Sequence, residues 1–474
     1  MGLLTELSDK KIVLLGVGLT GLSCARFLQA HSLSFTANDS RKKPFATPEL
    51  KTDFLSKYPQ ITLITGRWDK ELITSADVII TSPGIDLLAT GIKKMIRDDC
   101  LVIGDVELFC QVINEQVTPM SLLAVTGSNG KSTVVSILAY LAKALGFRVG
   151  LGGNIGYPVL DFISPGIKEN IAIETQINWL ILELSSFQLE TLKSMKAIAA
   201  SVLNVCEDHL DRHKTLSHYQ QIKQGIYRQS LLAVVNRDDG ATQTPVRGQK
   251  TLSFGSDLPE PGQFGVGIIN NKTQLMFGEQ ALIALDSLPL AGLHNALNYL
   301  SALALGYGAG WPLKTMVENL AGFTGLPHRC QRVSSLDNIQ WINDSKATNV
   351  GATCAAISGL SATIAANAKL ILIAGGDGKG ADFSPLKSQL NNQVNVLITL
   401  GKDGDEIASL VTKAYQVNSM QMAVNTAFKI AEPGDMVLLS PACASIDMFK
   451  DFNDRGQQFT HCVTQLYPLA EAGS

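Results

Sequence analysis

The octet Thr126-Gly127-Ser128-Asn129-Gly130-Lys131-Ser132-Thr133 restricts this chain more than any other stretch of it. The apolar run Leu122–Val125 precedes it and reads as a strand; Val134–Leu145 follows it and reads as a helix. A strand, a glycine turn and a helix in that order argue for a parallel α/β sheet. The turn also gathers backbone N–H groups and the positive end of the helix dipole around one anion. Lys131 can then reach the outer phosphates of a nucleotide, and Ser132 or Thr133 can hold its Mg²⁺. A tight strand–helix turn with no ligand explains Gly127 and Gly130 but not the adjacent Lys-Ser-Thr. A nucleotide triphosphate, and a reaction that consumes it, is the expectation. The octet departs from the general pattern once: Val125 stands where a glycine is usual.

At 474 residues the chain should form about three domains. Hydrophobic residues make up 46% and charged residues 17%, enough to bury large cores. A net charge of −3 leaves no basic footprint for nucleic acid. The eight cysteines are scattered without a C-x-x-C pair, which argues against a zinc or disulfide framework and suits a reducing cytosol. The N-terminus lacks a signal-peptide layout, and no apolar run reaches membrane-spanning length. The nearest, Ala352–Ala374, reads as a helix followed by a buried strand. The expectation is a cytoplasmic monomer with no nucleic-acid partner and no membrane insertion.

Three segments follow one another. In residues 1–112, strands at Lys11–Leu15, Phe35–Asn38 and Val78–Thr81 alternate with a helix at Leu22–Ala30, as in a Rossmann-like sheet. In residues 113–325, strands at Trp179–Leu182, Ile198–Asn204 and Leu231–Asn236 follow the phosphate loop. Pro245–Gln280 reads as loops and small antiparallel strands, and Asn295–Leu305 as a helix. In residues 326–474, strands at Leu370–Ala374, Val394–Leu400 and Met436–Leu439 predict a second doubly wound sheet, with Gly322–Pro327 as a hinge before it.

Gly16-x-Gly18-x-x-Gly21, with Asp39 downstream, has the spacing of a dinucleotide fingerprint. That pattern recognises a diphosphate and a sugar rather than a nicotinamide. It therefore fits an NAD-dependent dehydrogenase, a UDP-sugar site, or strand–helix packing without a ligand.

Glu183 ends a strand beside the phosphate loop, a position suited to holding magnesium directly or through water. His209, in Asn204-Val205-Cys206-Glu207-Asp208-His209-Leu210-Asp211-Arg212-His213, could bind a metal or a substrate, oriented by Asp208 and Asp211; a helix-capping acidic cluster is the plainer reading. His213 and His218 read as solvated, and Lys223 as a surface helix lysine. In the last segment Arg329 can grip phosphate with two parallel hydrogen bonds. Asn343-Asp344-Ser345-Lys346-Ala347-Thr348-Asn349 follows a strand, Gly375-Gly376-Asp377-Gly378-Lys379-Gly380 suits a loop near a ligand, and Ser440-Pro441-Ala442-Cys443-Ala444-Ser445 reads as a strand end opening a helix.

These strings, together with Gly153-Asn154-Ile155-Gly156, Glu183-Leu184-Ser185-Ser186-Phe187-Gln188 and His294-Asn295-Ala296-Leu297-Asn298, resemble the Mur ligases that build the peptidoglycan peptide. The resemblance spans essentially the whole chain. The string Ser440–Phe449 is similar to the D-glutamate-adding branch. The resemblance implies an α/β protein of three domains: a Rossmann-like N-terminal UDP-binding domain, a P-loop ATPase-like central domain and a Rossmann-like C-terminal domain. It implies ATP-dependent joining of D-glutamate to UDP-N-acetylmuramoyl-L-alanine through an acyl phosphate, with two Mg²⁺ sites.

It assigns Leu19, Thr20, Asp39, Ser40, Arg41 and Ser82 to the uridine diphosphate, and Asn154 and His209 to the muramoyl-alanine end. Gly127, Asn129, Gly130, Lys131, Ser132 and Thr133 would cradle ATP, with Asn295, Asn298, Arg329 and Asp344. Ser132, Thr133, Glu183, His209 and a carbamylated Lys223 would serve the metal sites. Lys346, Thr348, Lys379, Ser445 and Phe452 would place D-glutamate and the developing phosphate. Lys131, His209, Lys223 and Lys346 would be the catalytic set. Two departures stand out: Pro158–Asn178 is longer than the family usually shows, and the interval from His209 to Lys223 is one residue short. A folylpolyglutamate synthetase is similar in the central segment alone, and a nucleotide-gated binding protein is the rival outside the enzymes.

Overall fold

A computed structural model describes residues 2–45, 48–58, 61–117, 120–164, 177–290, 292–325, 328–333, 335–361, 363–365 and 367–467. The centre of the long connection at 158–178 and the end of the hinge at 322–327 lie outside them. The chain divides into two compact units, one of Met1–Phe254 with Ser301–Met316, the other of Gly255–Leu300 with Val317–Ser474.

The first unit holds two parallel sheets. Strands β1 (Ile12–Leu15), β2 (Phe35–Asp39), β3 (Leu63–Thr65), β4 (Val78–Thr81) and β5 (Leu101–Gly104) lie in the order β3-β2-β1-β4-β5, all parallel. β1 and β4 are buried at every residue, which is why their sequences are unbroken apolar runs. Strand order reverses between them, so a crevice opens at their carboxyl ends, where Gly16–Gly21 lies. Gly21 is needed for the turn: a Cβ there would sit 1.9 Å from the Gly16 carbonyl oxygen. The helix begins at Leu19, three residues earlier than expected, which puts Leu19 and Thr20 in its first turn.

The central strands are β6 (Ser121–Thr126), β7 (Val149–Gly153), β8 (Trp179–Glu183), β9 (Ala197–Val202), β10 (Ser230–Asn236) and β11 (Lys250–Phe254). Their order is β11-β10-β9-β6-β8-β7, again all parallel. The two sheets share one apolar core, in which Phe27 and Phe109 meet Leu160, Phe162 and Leu182. A buried carboxylate braces this junction. Asp161 accepts from Arg26 Nη2 at 2.7 Å and from Ser23 Oγ at 2.8 Å, tying the helix Leu19–Ala30 to the turn Val159–Phe162.

The second unit begins with an antiparallel meander, β12 (Phe264–Ile269), β13 (Lys272–Phe277) and β14 (Gln280–Ala284). The expected antiparallel character of 245–280 therefore holds for β12 and β13 but not for β11. The last sheet comprises β15 (Gln331–Val333), β16 (Gln340–Asn343), β17 (Leu370–Ala374), β18 (Val396–Thr399), β19 (Tyr415–Gln416) and β20 (Met436–Leu439). Its order is β15-β16-β20-β17-β18-β19, with only β15 antiparallel. Alternate residues feed two cores. Ile342, Leu372 and Leu438 pack with Ile357 and Leu386 on one face, and Trp341, Ile371 and Val437 with Val424 and Phe459 on the other. The sheet is doubly wound, as the sequence pattern predicts.

Candidate active site

The phosphate loop owes its shape to two glycines. Gly127 has φ 151° and Gly130 φ 83°, values a side chain would strain. The helix Lys131–Ala144 starts at once after Gly130, so Lys131, Ser132 and Thr133 occupy the turn whose N–H groups lack helical acceptors. Asn204, two residues beyond β9, straps the loop. Its Oδ1 accepts from the Asn129 N–H at 2.8 Å, and its Nδ2 donates to the Asn129 carbonyl at 3.1 Å. Sequence reading gave Asn204 no role; its position directly after a strand was the available signal.

Two lysines converge on one carbonyl. Lys131 Nζ donates to the Gly127 and Ser128 carbonyls at 2.8 Å each. Lys223 Nζ donates to the same Gly127 carbonyl at 2.8 Å and to Thr126 Oγ1 at 3.4 Å. Lys223 is therefore not the surface lysine its helix suggests. It is 1% exposed, on the inner face of the helix Leu216–Gln224, with its amine 4.4 Å from the Tyr219 ring centroid and no ion-pair partner among the described residues. Burial first, and the Lys131 charge second, push its pKa well below the ordinary lysine value.

Glu183 ends β8 and is buried. Its Oε1 accepts from Asn154 Nδ2 at 2.8 Å, and the Asn154 N–H donates to the Glu183 carbonyl at 2.8 Å. The other carboxylate oxygen, Oε2, is buried without a hydrogen-bond partner among the described residues. A buried, orphaned carboxylate oxygen beside a phosphate loop fits a hard divalent cation. No three His, Cys, Asp or Glu side chains among the described residues form a metal cluster. Any such ion would therefore draw further oxygen ligands from Ser132, Thr133 and the phosphates themselves.

His209 adopts φ 51° at the start of the short helix Leu210–His213. Its ring is exposed, 4.8 Å from that of Phe187, and its Nε2 lies 3.7 Å from Asp208 Oδ2. The Asp211 side chain lies outside the description. His213 is not solvated, as expected of it, but 1% exposed. Its Nε2 shares a hydrogen bond with Ser186 Oγ at 2.9 Å, and burial lowers its pKa. The apolar side of the short helix needed a partner, and Phe187 and Tyr219 supply it.

At the N-terminal crevice Asp39 is 2% exposed and organises its neighbours. Its Oδ2 accepts from the Val17 N–H at 3.0 Å and from Arg41 Nη2 at 2.7 Å; its Oδ1 accepts from Arg41 N and Nε, both at 2.9 Å. Burial pushes the carboxyl up, but these bonds outweigh it and hold the pKa below the usual carboxylate range. Asp39 thus presents the half-exposed Arg41. Ser40 is exposed, Leu19 is 71% exposed, and Ser82 Oγ is a buried hydroxyl with no partner among the described residues.

In the second unit, Asn298 Nδ2 donates to Asn295 Oδ1 at 3.2 Å on one face of the helix Leu293–Gly308. Asp344 is buried after β16, where its Oδ1 accepts from the Cys330 N–H at 3.2 Å and its Oδ2 from Ser440 Oγ at 3.0 Å. Burial raises its pKa to about 6. Arg329 sits next to Cys330, and its charge acts in the opposite sense on Asp344. Lys346 Nζ lies 3.8 Å from the centroid of the Phe452 ring. Lys379 takes φ 53° in a loop whose Gly375 and Gly376 also have positive φ. Ser445 is buried, while Thr348 follows Lys346 on the same turn. The Ser440–Ser445 string does not open a helix: turns follow it, and the helix Phe452–Leu466 starts beyond, capped by Asp451.

A phosphate loop on a parallel sheet, with a glycine-turn crevice and a further doubly wound sheet, defines a nucleotide-dependent α/β protein of several domains. Family comparison narrows this. Residues 10–104 match the MurD-like N-terminal domain of Mur ligases, 125–306 the Mur ligase middle domain and 328–443 the Mur ligase glutamate ligase domain. The chain belongs to the Mur ligase family. It is 62% identical over 460 residues to a protein of Colwellia psychrerythraea named UDP-N-acetylmuramoylalanine--D-glutamate ligase, covering 97% of this chain and 98% of that one. A protein of the same name from Shewanella violacea is 43% identical, covering 97% and 96%. Among solved structures, MurF ligase from Thermotoga maritima in complex with ADP shares the fold at TM-score 0.61 and 18% identity, covering 91% of this chain and 94% of that one. UDP-N-acetylmuramate-alanine ligase MurC of the same organism gives 0.57 at 18% identity, covering 97% and 100%.

Proposed function

We propose that this protein is an ATP-dependent ligase that joins D-glutamate to the L-alanine carboxylate of UDP-N-acetylmuramoyl-L-alanine, in cytoplasmic peptidoglycan precursor synthesis. The observation that carries this reading is the 62% identity, over 97% of the chain, to a relative bearing that name. The domain division follows the segments 1–112 for the UDP substrate, 113–325 for ATP and 326–474 for the amino acid. The protein acts as a monomer in this reading. No helix among the described residues is long and apolar enough to cross a membrane.

The chemistry must overcome one obstacle: a carboxylate resists attack by an amine at neutral pH. The L-alanine carboxylate oxygen attacks the γ-phosphorus of ATP, the bond to the β-phosphate oxygen breaks, and ADP leaves. The free amine of D-glutamate then attacks the acyl carbon. The tetrahedral adduct loses a proton from nitrogen and expels phosphate, leaving the amide.

Each residue has a matching task. Gly127, Asn129 and Gly130 wrap the triphosphate, and Lys131 exchanges its bonds to the loop carbonyls for phosphate oxygens. Ser132, Thr133, Glu183 and His209 would hold Mg²⁺, which offsets repulsion between carboxylate and triphosphate when bound. Asp39, Ser40, Arg41, Ser82, Leu19 and Thr20 seat the uridine diphosphate, and Asn154 and His209 the muramoyl-alanine end. Asn295, Asn298, Arg329 and Asp344 complete the ATP contacts. Lys346, Thr348, Lys379, Ser445 and Phe452 place D-glutamate.

Lys223 is suited to carbamylation because its amine is buried and forms no ion pair among the described residues. Its neutral amine nitrogen adds to carbon dioxide and releases one proton, leaving a carbamate anion able to face magnesium.

The test is phosphate release with ATP, UDP-N-acetylmuramoyl-L-alanine and a panel of amino acids. D-glutamate should be the preferred acceptor by at least about tenfold in kcat/KM. Equal rates with another amino acid would refute the assignment, and reduction of NAD by any of these substrates would favour a dehydrogenase instead.

A further inference from the structure

Arg455 is among the largest fully buried side chains of the protein, at 1% exposure. It lies in the first turn of the helix Phe452–Leu466. Its Nε donates to Ser345 Oγ at 3.0 Å, its Nη2 to the Ser345 carbonyl at 2.7 Å and its Nη1 to the Cys443 carbonyl at 3.1 Å. Ser345 Oγ in turn donates to the Phe452 carbonyl at 2.8 Å. A Cβ built on Gly376 would come within 3.3 Å of Arg455 Nη1. One guanidinium therefore stands behind four stretches: the turn carrying Lys346 and Thr348, the loop leading to Lys379, the string ending at Ser445, and Phe452. These are the stretches assigned above to D-glutamate.

All three of its acceptors are uncharged. Among the described residues no carboxylate hydrogen-bonds to it, and Asp447 and Asp344 act on it only through their charge, although a buried cation is ordinarily retained with an anionic partner in direct contact. Ordinary packing could be met by an apolar side chain of the same length, and the three hydrogen bonds by a neutral amide. What neither replaces is positive charge in a low-dielectric site, where it acts over several ångströms. The substrate that these loops would bind carries two carboxylates.

We propose that Arg455 is a positioning and specificity residue: its charge, hydrogen-bonded only to neutral acceptors among the described residues and held behind the amino-acid loops, selects a dicarboxylate over a monocarboxylate amino acid. This rests on the function proposed above. The residue itself touches no substrate; it acts through the Ser345–Thr348 and Cys443–Ser445 turns that it pins and through its field.

The experiment compares the full-length protein with Arg455→Lys, Arg455→Gln and Arg455→Met. Phosphate release is measured with D-glutamate and with its two monocarboxylate amides, D-glutamine and D-isoglutamine. The wild type must first show D-glutamate-dependent turnover; without it the function fails, and the Arg455 inference is not what has been refuted. Given that turnover, Arg455→Gln should raise KM for D-glutamate by about tenfold or more, with kcat and KM for ATP changing less than about threefold. Its preference for D-glutamate over either amide should fall by a similar factor. Arg455→Lys keeps the charge and should keep that preference even if kcat drops. Arg455→Met serves should the Gln variant not fold, since apolar replacement of a buried charge is commonly tolerated. Two results overturn the proposal. One is an unchanged preference in a folded, neutral variant. The other is a parallel fall of kcat for all acceptors in both the Lys and the neutral variants, which would mark a packing role or service to the phosphoryl group.

Discussion

Replacing Asp161 with alanine removes three hydrogen bonds at once. Two come from Arg26, at 3.2 and 2.7 Å, and one from Ser23 at 2.8 Å. The serine is buried, so its hydroxyl loses an acceptor at a cost of about 1–3 kcal/mol. The Arg26 side chain is 32% exposed and Asp161 only 2%. Water therefore recovers part of the arginine's loss, and the ion pair contributes nearer ~1 kcal/mol than the larger penalty of a sealed pair. The sum, about 3 kcal/mol, is roughly a hundredfold in the folded-to-unfolded ratio. Urea unfolding of the wild type, Asp161→Ala, Arg26→Ala and the double variant measures it. The midpoint should fall at constant slope, and the cycle should show about 1 kcal/mol of coupling. The brace holds the helix that follows the glycine turn, so KM for the UDP substrate should rise while KM for ATP does not. A shift below about 0.5 kcal/mol for Asp161→Ala, or strict additivity with Arg26→Ala, would refute this reasoning.

Further outcomes follow from other sites. Glycine-to-alanine in a helix normally stabilises by about 1 kcal/mol. Gly456→Ala should instead destabilise by about 2 kcal/mol, because the new Cβ would lie 2.2 Å from His328 Nδ1 and drive that ring from Asn343; an unchanged or raised Tm contradicts this. Asp344, raised to about 6 by burial, is favoured in its protonated form by folding. Its penalty is absent below the unfolded value of about 3.9 and complete above the folded one, so wild-type stability should rise as pH falls from 7 towards 4. Asp344→Asn should remove that slope and stabilise at pH 7 by on the order of 1–2 kcal/mol while lowering activity, read by unfolding across pH. Lys223 carries the opposite sign: folding favours its neutral amine, so stability should climb as pH rises from its depressed value towards about 10.4. Lys223→Met should abolish that climb. It should also abolish a carbamate resonance that appears in the wild type with carbon-13-labelled bicarbonate; a wild type without that resonance rules out the modification.

How far the sequence revealed this molecule depended on how local the cause was. The phosphate loop, the strands β1, β4, β6, β17 and β20 and the helix-then-strand reading of 352–374 were legible because unbroken apolar runs between glycine turns have few other solutions. The strand preceding Glu183 was visible, but the orphaned oxygen that suits the carboxylate to a cation was not. Lys223 and His213 were misread for one reason. Each lies in a short, mostly polar helical stretch, and only tertiary packing against Thr126, Tyr219 and Ser186 reveals which face is inward. Asp161 and Arg455 were invisible because their partners lie 135 and 110 residues away along the chain. The turns after Ser445 read as a helix start because small residues after a strand satisfy both patterns.

The central claim is that a substrate carboxylate is phosphorylated before the new bond forms. The most direct measurement supplies UDP-N-acetylmuramoyl-L-alanine with heavy oxygen in its alanine carboxylate, together with ATP and D-glutamate, and analyses the released phosphate by mass spectrometry. One labelled oxygen in each phosphate, matched by one product amide, is the expected result. Unlabelled phosphate alongside product formation would contradict the account.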